Sequence, residues 1–415
     1  MKVLFEQSGY SFQNLGDWAM LQVAVARVQW ALPGTTCTVV ALHDAPLERC
    51  VPSARLLPLE TRDALVFAGF LLGRYPRIAR VIRHFARGQL RAFSSVLGKL
   101  DIVRRGGMAT LYAEALAEMG AADAVVSSGG GFITDVFPGM VEGVLGTLEV
   151  AQRLGKPTAM FGQGLGPLDD AFLRHEAASV LPRLQVLALR EPLSSARIAR
   201  SLGVPSDRLL VTGDDATELA FELQSPNLGS GIAYNLRLAG YSGVDSHLSR
   251  QVGASVAAFA ESVNSRLLVL PIDVAEGADW ECTWRSLGVH EPGPCPVTKP
   301  EDAIQIAGQC RLTVTGSYHA GVFSLAQGVP VVGLVRSPYY ADKFRGLKAL
   351  YPDGCEWIDL SAPDATKLLF EAMGRLFSSA PQVRQDLLDR SYDLVNRSRD
   401  AYAQFFLTVA DGAIR

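Results

Sequence analysis

Short apolar runs that each end in a glycine- or acid-containing loop, with helix-compatible stretches between them, recur along this chain. KVLFEQSG (2–9) leads through NLGD (14–17) into WAMLQVAVARVQWAL (18–32), and CTVVAL (37–42) follows. DAVVSSGGG (123–131), a helix-compatible run at 140–154, PTAMFGQGLGP (157–167), VLALRE (186–191) and RLLVTGDD (208–215) carry the pattern on. Runs that are apolar without alternation suit strands buried on both faces, and parallel neighbours need a crossover helix between them. The fold class expected is therefore α/β, built on open parallel sheets.

A chain of 415 residues exceeds what one core usually holds, so two domains are expected. LQSPNLGS (223–230) is the linker candidate, polar and broken by proline and glycine. It places a first domain at 1–222 and a second at 223–382. In the second, GIAYNL (231–236), a helix across 247–264 and SRLLVLPID (265–273) precede a strand–helix–strand unit at 310–335. Residues 383–415 read as helical and able to close back across the first domain. Two parallel sheets facing a cleft would present ligands to the C-terminal ends of their strands.

Composition narrows the function classes. Thirty-nine basic and 42 acidic residues give a net charge of −3, with no global signal for nucleic acid. No apolar run approaches a membrane span, and the N-terminus lacks the apolar core of a signal peptide. The six cysteines (37, 50, 282, 295, 310, 355) show no metal-like spacing and are expected as reduced thiols of a cytoplasmic protein. Neither a metal nor a cofactor is called for. Residues 74–105 stand apart: Arg74, Arg77, Arg80, Arg83, Arg87, Arg91, Lys99, Arg104 and Arg105 face a single acid, Asp101. This segment is either a solvated face over the first sheet or a basic amphipathic surface for peripheral contact with an anionic membrane.

The candidate chemistry lies in the loops after strands. SSGGGF (127–132) and GQGLGP (162–167) allow close backbone approach, and their amides, at Gly130, Gly131 and Gly164, are donors for an anion. In NLGD, Asp17 is read as a helix N-cap, as a carboxylate facing the cleft, or as both, with Asn14 beside it. Arg190 ends a strand, where it either pairs with a neighbouring acid or grips a planar anion. Asp214 and Asp215 would hold it or a substrate hydroxyl. TGSYHAG places Ser317, Tyr318 and His319 at a strand-to-helix turn, and SPYYADKF brings Tyr339, Tyr340 and Lys343 past the next strand. Parallel neighbouring strands would deliver His319 and Lys343 to one rim, His319 as a proton donor or acceptor. The two tyrosines would stack on a sugar or bury against a loop.

Together NLGD, GGGF, GQGLGP, LALRE, GDDA and the block TGSYHAGVFSLAQGVPVVGLVRSPYYADKFRGL resemble the polysaccharide pyruvyl transferase family across most of the chain. Members typically carry Arg-Leu-His where this chain has Ser317, Tyr318 and His319, so the histidine is kept and the arginine is not. The resemblance implies a two-domain fold like that of the GT-B glycosyltransferases, with the acceptor on the first domain and the donor on the second. It implies phosphoenolpyruvate as donor and a sugar or glycolipid of cell-envelope polysaccharide biosynthesis as acceptor, joined as a pyruvate ketal. His319 and Asp17 would be catalytic. Arg190, Lys343, Ser317, Tyr318, Gly130, Gly131 and Gly164 would bind the donor, and Asn14, Tyr339 and Tyr340 the acceptor. Two other readings share the architecture: a nucleotide-sugar-dependent glycosyltransferase, and a non-catalytic sugar- or nucleotide-binding subunit. A dehydrogenase is disfavoured because no dinucleotide fingerprint is present. Localisation at the inner face of the cell membrane and a homo-oligomer both fit this reading.

Overall fold

The computed structural model describes residues 1–7, 9–72, 108–237 and 243–413. The basic segment 74–105, and with it the reading of a membrane-facing surface, lies outside the described residues.

The first sheet is built from β1 (Lys2–Glu6), β2 (Thr36–Ala41), β3 (Arg55–Pro58), β4 (Ala124–Ser127), β5 (Gly130–Ile133), β6 (Thr158–Leu165), β7 (Val186–Leu189) and β8 (Leu209–Val211). Its order is β3-β2-β1-β4-β6-β7-β8, with β5 pairing β6, and the pairs are parallel. The second sheet contains β9 (Gly231–Asn235), β10 (Leu267–Val269), β11 (Cys310–Thr315), β12 (Val331–Val335) and β13 (Cys355–Asp359), ordered β10-β9-β11-β12-β13 and also parallel. The central strands β4, β6, β7, β9 and β12 are buried from end to end, as the unbroken apolar runs require. In each sheet the chain reverses its direction of winding once, between β1 and β4 and between β9 and β11. Crevices at such switch points are where open α/β sheets bind ligands.

The helices packed against these strands include α1 (Leu15–Ala31), α2 (Ser194–Ser201), α3 (Ala216–Glu222), α4 (Tyr318–Ala326), α5 (Pro338–Leu350) and α6 (Ala365–Ala413). α1 starts earlier than the sequence pattern indicated, and its N-cap is Asn14, whose Oδ1 accepts from the amides of Gly16 and Asp17. Asp17 is thus inside the first turn rather than its cap, and its carboxylate is left for the cleft. Helical structure at the C-terminus begins at Ala365 rather than 383, and α6 runs 49 residues. Its first part packs Leu369, Ala372 and Met373 on the second sheet. Its last part returns to the first domain, where Tyr402 stacks on Phe161 at 3.7 Å.

That return is locked by a buried polar cluster. Asp215 accepts from Arg27 Nη1 (2.7 Å), Ser398 Oγ (2.8 Å) and Tyr402 Oη (2.7 Å), and Glu218 holds Arg27 and Arg399. The two domains also meet directly below the cleft. Leu15 N donates to Ile272 O and Val274 N to Gln13 O, with Asn14 and Asp273 bridged antiparallel between them. No described helix is long and apolar enough to cross a membrane.

Candidate active site

A cavity of about 270 Å³ opens between the C-terminal ends of the two sheets. Asn14 and Asp17 from the start of α1, Gly131 from β5 and Arg190 from the end of β7 form its first-domain wall. Ser317, Tyr318 and His319 at the start of α4, Tyr339, Tyr340 and Lys343 on α5, and Arg237 and Asp273 form the other. A larger recess of about 740 Å³ lies at the N-terminal ends of the second sheet's strands, along the linker. Its charged lining is Arg266 alone, so the smaller, charge-rich cavity is the candidate site.

Two glycine loops shape it in a way the sequence reading did not foresee. A Cβ on Gly131 would stand 2.2 Å from Arg190 Nη2, and one on Gly164 2.5 Å from Arg190 Nε. The loops make room for the Arg190 guanidinium to lie against bare backbone. Gly130 and Gly164 are not on the cavity wall, and their carbonyls accept from Gln163 Nε2 (2.8 Å each). From behind, Arg190 is covered by the Tyr318 ring, 4.2 Å from the guanidinium carbon, a cation–π contact in a dry setting. Its nearest carboxylate is Asp214, 3.7 Å away. Glu191, next to Arg190 in the chain, turns aside to accept from the amides of Leu193 and Ser195 at the entry to α2.

His319 sits at the second position of α4 and is 7% exposed. Its Nε2 lies 3.6 Å from Asp214 Oδ2, and its ring rests on the bare Cα of Gly16, the glycine of NLGD. The first domain's motif and the second domain's histidine are therefore one constellation. Ser317 occupies the N-cap position of α4 without capping it through its side chain, and the Tyr318 hydroxyl is buried with no hydrogen-bond partner among the described residues. Tyr339 and Tyr340 are both buried. Tyr339 Oη donates to Gly131 O at 2.9 Å, which ties α5 to the GGGF loop, and Lys343 Nζ lies 3.8 Å from the Tyr339 ring centroid and hydrogen-bonds its hydroxyl.

Burial tunes the charges in opposite directions. It raises the Asp17 carboxyl above the ordinary carboxylate range, against the pull of His319 and Lys343. Burial would raise Asp214 as well, but His319 and Arg190 beside it win and hold it below that range. Burial, reinforced by Arg190, presses the Lys343 ammonium well below the usual lysine range. Two carboxyls driven apart in this way are suited to different tasks, one to take a proton and one to stay ionised.

Sequence reasoning passed over Arg237, Asp273 and Gly16. The signal for Arg237 was there: like Arg190, it follows an apolar strand run, GIAYNL.

The family model for polysaccharide pyruvyl transferase matches residues 49–338, well over half of the chain. This chain belongs to the polysaccharide pyruvyl transferase family. It is a transferase, and its fold is GT-B-like. Among solved structures it resembles UDP-GlcNAc 2-epimerase from Neisseria meningitidis bound to UDP-GlcNAc, at 13% identity and TM-score 0.56, covering 98% of this chain and 100% of that one. A UGT transferase from Siraitia grosvenorii in complex with UDP aligns at 10% identity and TM-score 0.56, over 99% of each chain. A UDP-glucose:anthocyanidin 3-O-glucosyltransferase in complex with UDP aligns at 13% identity and TM-score 0.51, over 97% and 99%. At these identities the likeness is one of fold. A search of curated protein sequences gives no significant match.

Proposed function

We propose that this transferase moves the pyruvyl group of phosphoenolpyruvate onto two hydroxyls of one sugar, forming a cyclic ketal and releasing phosphate. The observation that carries the reading is the convergence of Arg190, Lys343, His319 and Asp17 on one cavity of about 270 Å³. That volume lies just below the roughly 300–1,000 Å³ of sites for drug-sized ligands. It suits a small dianionic or trianionic donor better than a nucleotide-sugar.

Arg190 and Lys343 bind the donor's carboxylate and phosphate, the planar guanidinium by paired hydrogen bonds and the ammonium as a point charge. His319, held near Asp214, gives a proton to the methylene carbon of the donor. The adjacent carbon becomes electron-poor and is attacked by a sugar hydroxyl. Asp17, whose raised carboxyl makes it the better base of the two acids, takes that hydroxyl's proton. Phosphate leaves with the C–O bonding pair, and the second hydroxyl closes the ring. Of the two protons the hydroxyls lose, one balances that now in the methyl group and the other departs with phosphate. Asn14, Tyr339 and Tyr340, on the same walls, are the acceptor contacts of this reading. The acceptor is a sugar of a glycan or glycolipid precursor.

Calorimetric titration of the purified protein tests this, with phosphoenolpyruvate and UDP- and GDP-sugars as parallel ligands. Phosphoenolpyruvate should bind, and His319→Ala should weaken it. Binding of a nucleotide-sugar alone would replace pyruvyl transfer with glycosyl transfer. Binding of neither class by a folded protein would end the reading.

A further inference from the structure

A donor with both a carboxylate and a phosphate presents two anions, and cations on different walls of the cavity hold such a molecule in one orientation better than a single cluster does. On the first-domain wall Arg190 is fixed by Gly131, Gly164 and Tyr318. On the second-domain wall stands Arg237, which the mechanism above does not use.

Arg237 lies two residues past β9. Asn235 pairs with Thr315 in the sheet, so Arg237 leaves β9 beside the Gly316–Ser317 turn that follows β11. The two backbones are close there: a Cβ on Gly316 would be 3.2 Å from Arg237 N. This is the β9/β11 switch point, and Ser317 and His319 are its other lip. At that level Ser317 contributes no charge, and Arg237 supplies it from one strand over.

The guanidinium is held in place as a binding group must be. Nη2 is 2.7 Å from Asp273 Oδ2, and Nη1 is 3.5 Å from Asp279 Oδ1. Asp279 is itself anchored by Asn235 Nδ2 and by the amides of Ile272 and Asp273. With five N–H donors in a planar fork, a guanidinium can keep a positioning carboxylate while it receives a second anion. The Arg237 charge is felt inside the cavity, where it is among those that depress the Lys343 ammonium.

We propose that Arg237 is a second donor-binding arginine, gripping together with Lys343 the oxyanion that faces the second domain, at the level where Ser317 offers no charge, while Arg190 holds the other. This assignment rests on the pyruvyl-transfer reading. A planar carboxylate and a tetrahedral phosphate both accept from a guanidinium, so pyruvate and inorganic phosphate serve as separate probes for which of them Arg237 meets.

The test is titration of wild type, Arg237→Ala, Arg237→Lys, Arg190→Ala and the double variant Arg237→Ala/Ser317→Arg with phosphoenolpyruvate, inorganic phosphate and pyruvate. Circular dichroism confirms that each variant is folded. Arg237→Ala should weaken phosphoenolpyruvate by about 10–100-fold, the loss of one charge-assisted contact. Arg237→Lys should fall between it and wild type. The double variant should recover affinity, because Arg237 lies beside the Gly316–Ser317 turn. Arg237→Ala and Arg190→Ala should lose different single-anion probes, an outcome that a purely structural role for Arg237 would not produce. Wild-type affinity in Arg237→Ala, or loss without recovery in the double variant, overturns the assignment and leaves pyruvyl transfer standing. Arg237-dependent binding of phosphate or pyruvate without phosphoenolpyruvate binding keeps the anion site and ends the pyruvyl-transfer reading. Failure of wild type to bind any of the three ends both.

Discussion

Gly16→Ala is the perturbation that asks whether the two domains share one active site. In an isolated helix the change would be favourable by up to about 1 kcal/mol. Here the added methyl carbon would stand 2.0 Å from Cγ and 2.1 Å from Nδ1 of His319. Non-bonded carbons rest about 3.5–4.0 Å apart, so the imidazole has to retreat by roughly 1.5 Å. Overpacking of this kind costs about 1–3 kcal/mol, leaving a net destabilisation of about 0–2 kcal/mol. The functional loss should be larger, because misplacing a reacting group by about 1 Å costs on the order of 100-fold in rate. The assay is a double-mutant cycle of wild type, Gly16→Ala, His319→Ala and the pair, followed by thermal unfolding, with donor titration and turnover on wild type and Gly16→Ala. Removing the imidazole removes the obstruction, so Gly16→Ala should become neutral or stabilising in the His319→Ala background, a coupling of about 1–3 kcal/mol. If Gly16→Ala alone keeps donor affinity and turnover within about twofold of wild type, or costs the same stability in both backgrounds, His319 does not rest on the NLGD turn and the shared constellation is wrong.

Arg190→Lys should weaken the donor by about 10–100-fold despite keeping the charge, since an ammonium cannot fill the slot between Gly131, Gly164 and Tyr318 or bond in pairs; a change under about threefold, read by titration, counts against the anion grip. Because the free Lys343 ammonium is depressed well below its usual range, an arriving anion should raise it and draw in a proton. Titration in buffers of different ionisation enthalpy should therefore show net proton uptake, with affinity falling as pH rises; uptake that persists unchanged in Lys343→Met would assign it elsewhere. For Asp17 the folded-state value is raised above the unfolded one, so the folded state binds more protons in the interval between them and stability falls as pH rises through it. Asp17→Asn should be at least as stable as wild type at neutral pH, lose that advantage in acid, and fail in turnover while retaining the donor; a destabilised Asp17→Asn at pH 7 would contradict the sign. Arg80, Arg83 and Arg87 changed together to glutamate should release the protein from anionic liposomes if the basic segment meets a membrane surface, and unchanged sedimentation of a folded variant rejects that role.

Sequence alone determined the elements and what stands at their ends. Unbroken apolar runs separated by helix-compatible stretches specify parallel, doubly covered strands, and a polar or charged residue just past such a run has to emerge at a strand's C-terminal end. That places Arg190, His319 and Lys343 on a rim from the sequence itself, because the information is local. What tertiary structure decided were distances between segments far apart in the chain. Asn14 rather than Asp17 caps α1 because the chain is pinned to Ile272 and Val274 of the other domain, which sets where the helix begins. Of the adjacent acids in GDDA, Asp214 faces the histidine while Asp215 holds the returning C-terminal helix, a division set by what packs on each side of the turn. Gly131 of GGGF and Gly164 of GQGLGP, read from the sequence as backbone donors for an anion, also make room for the guanidinium of Arg190. Arg237 comes beside the Gly316–Ser317 turn only through strand register, and Gly16 faces His319 only because one sheet docks on the other: residues some 80 and 300 positions apart meet by packing, which no window along the sequence contains.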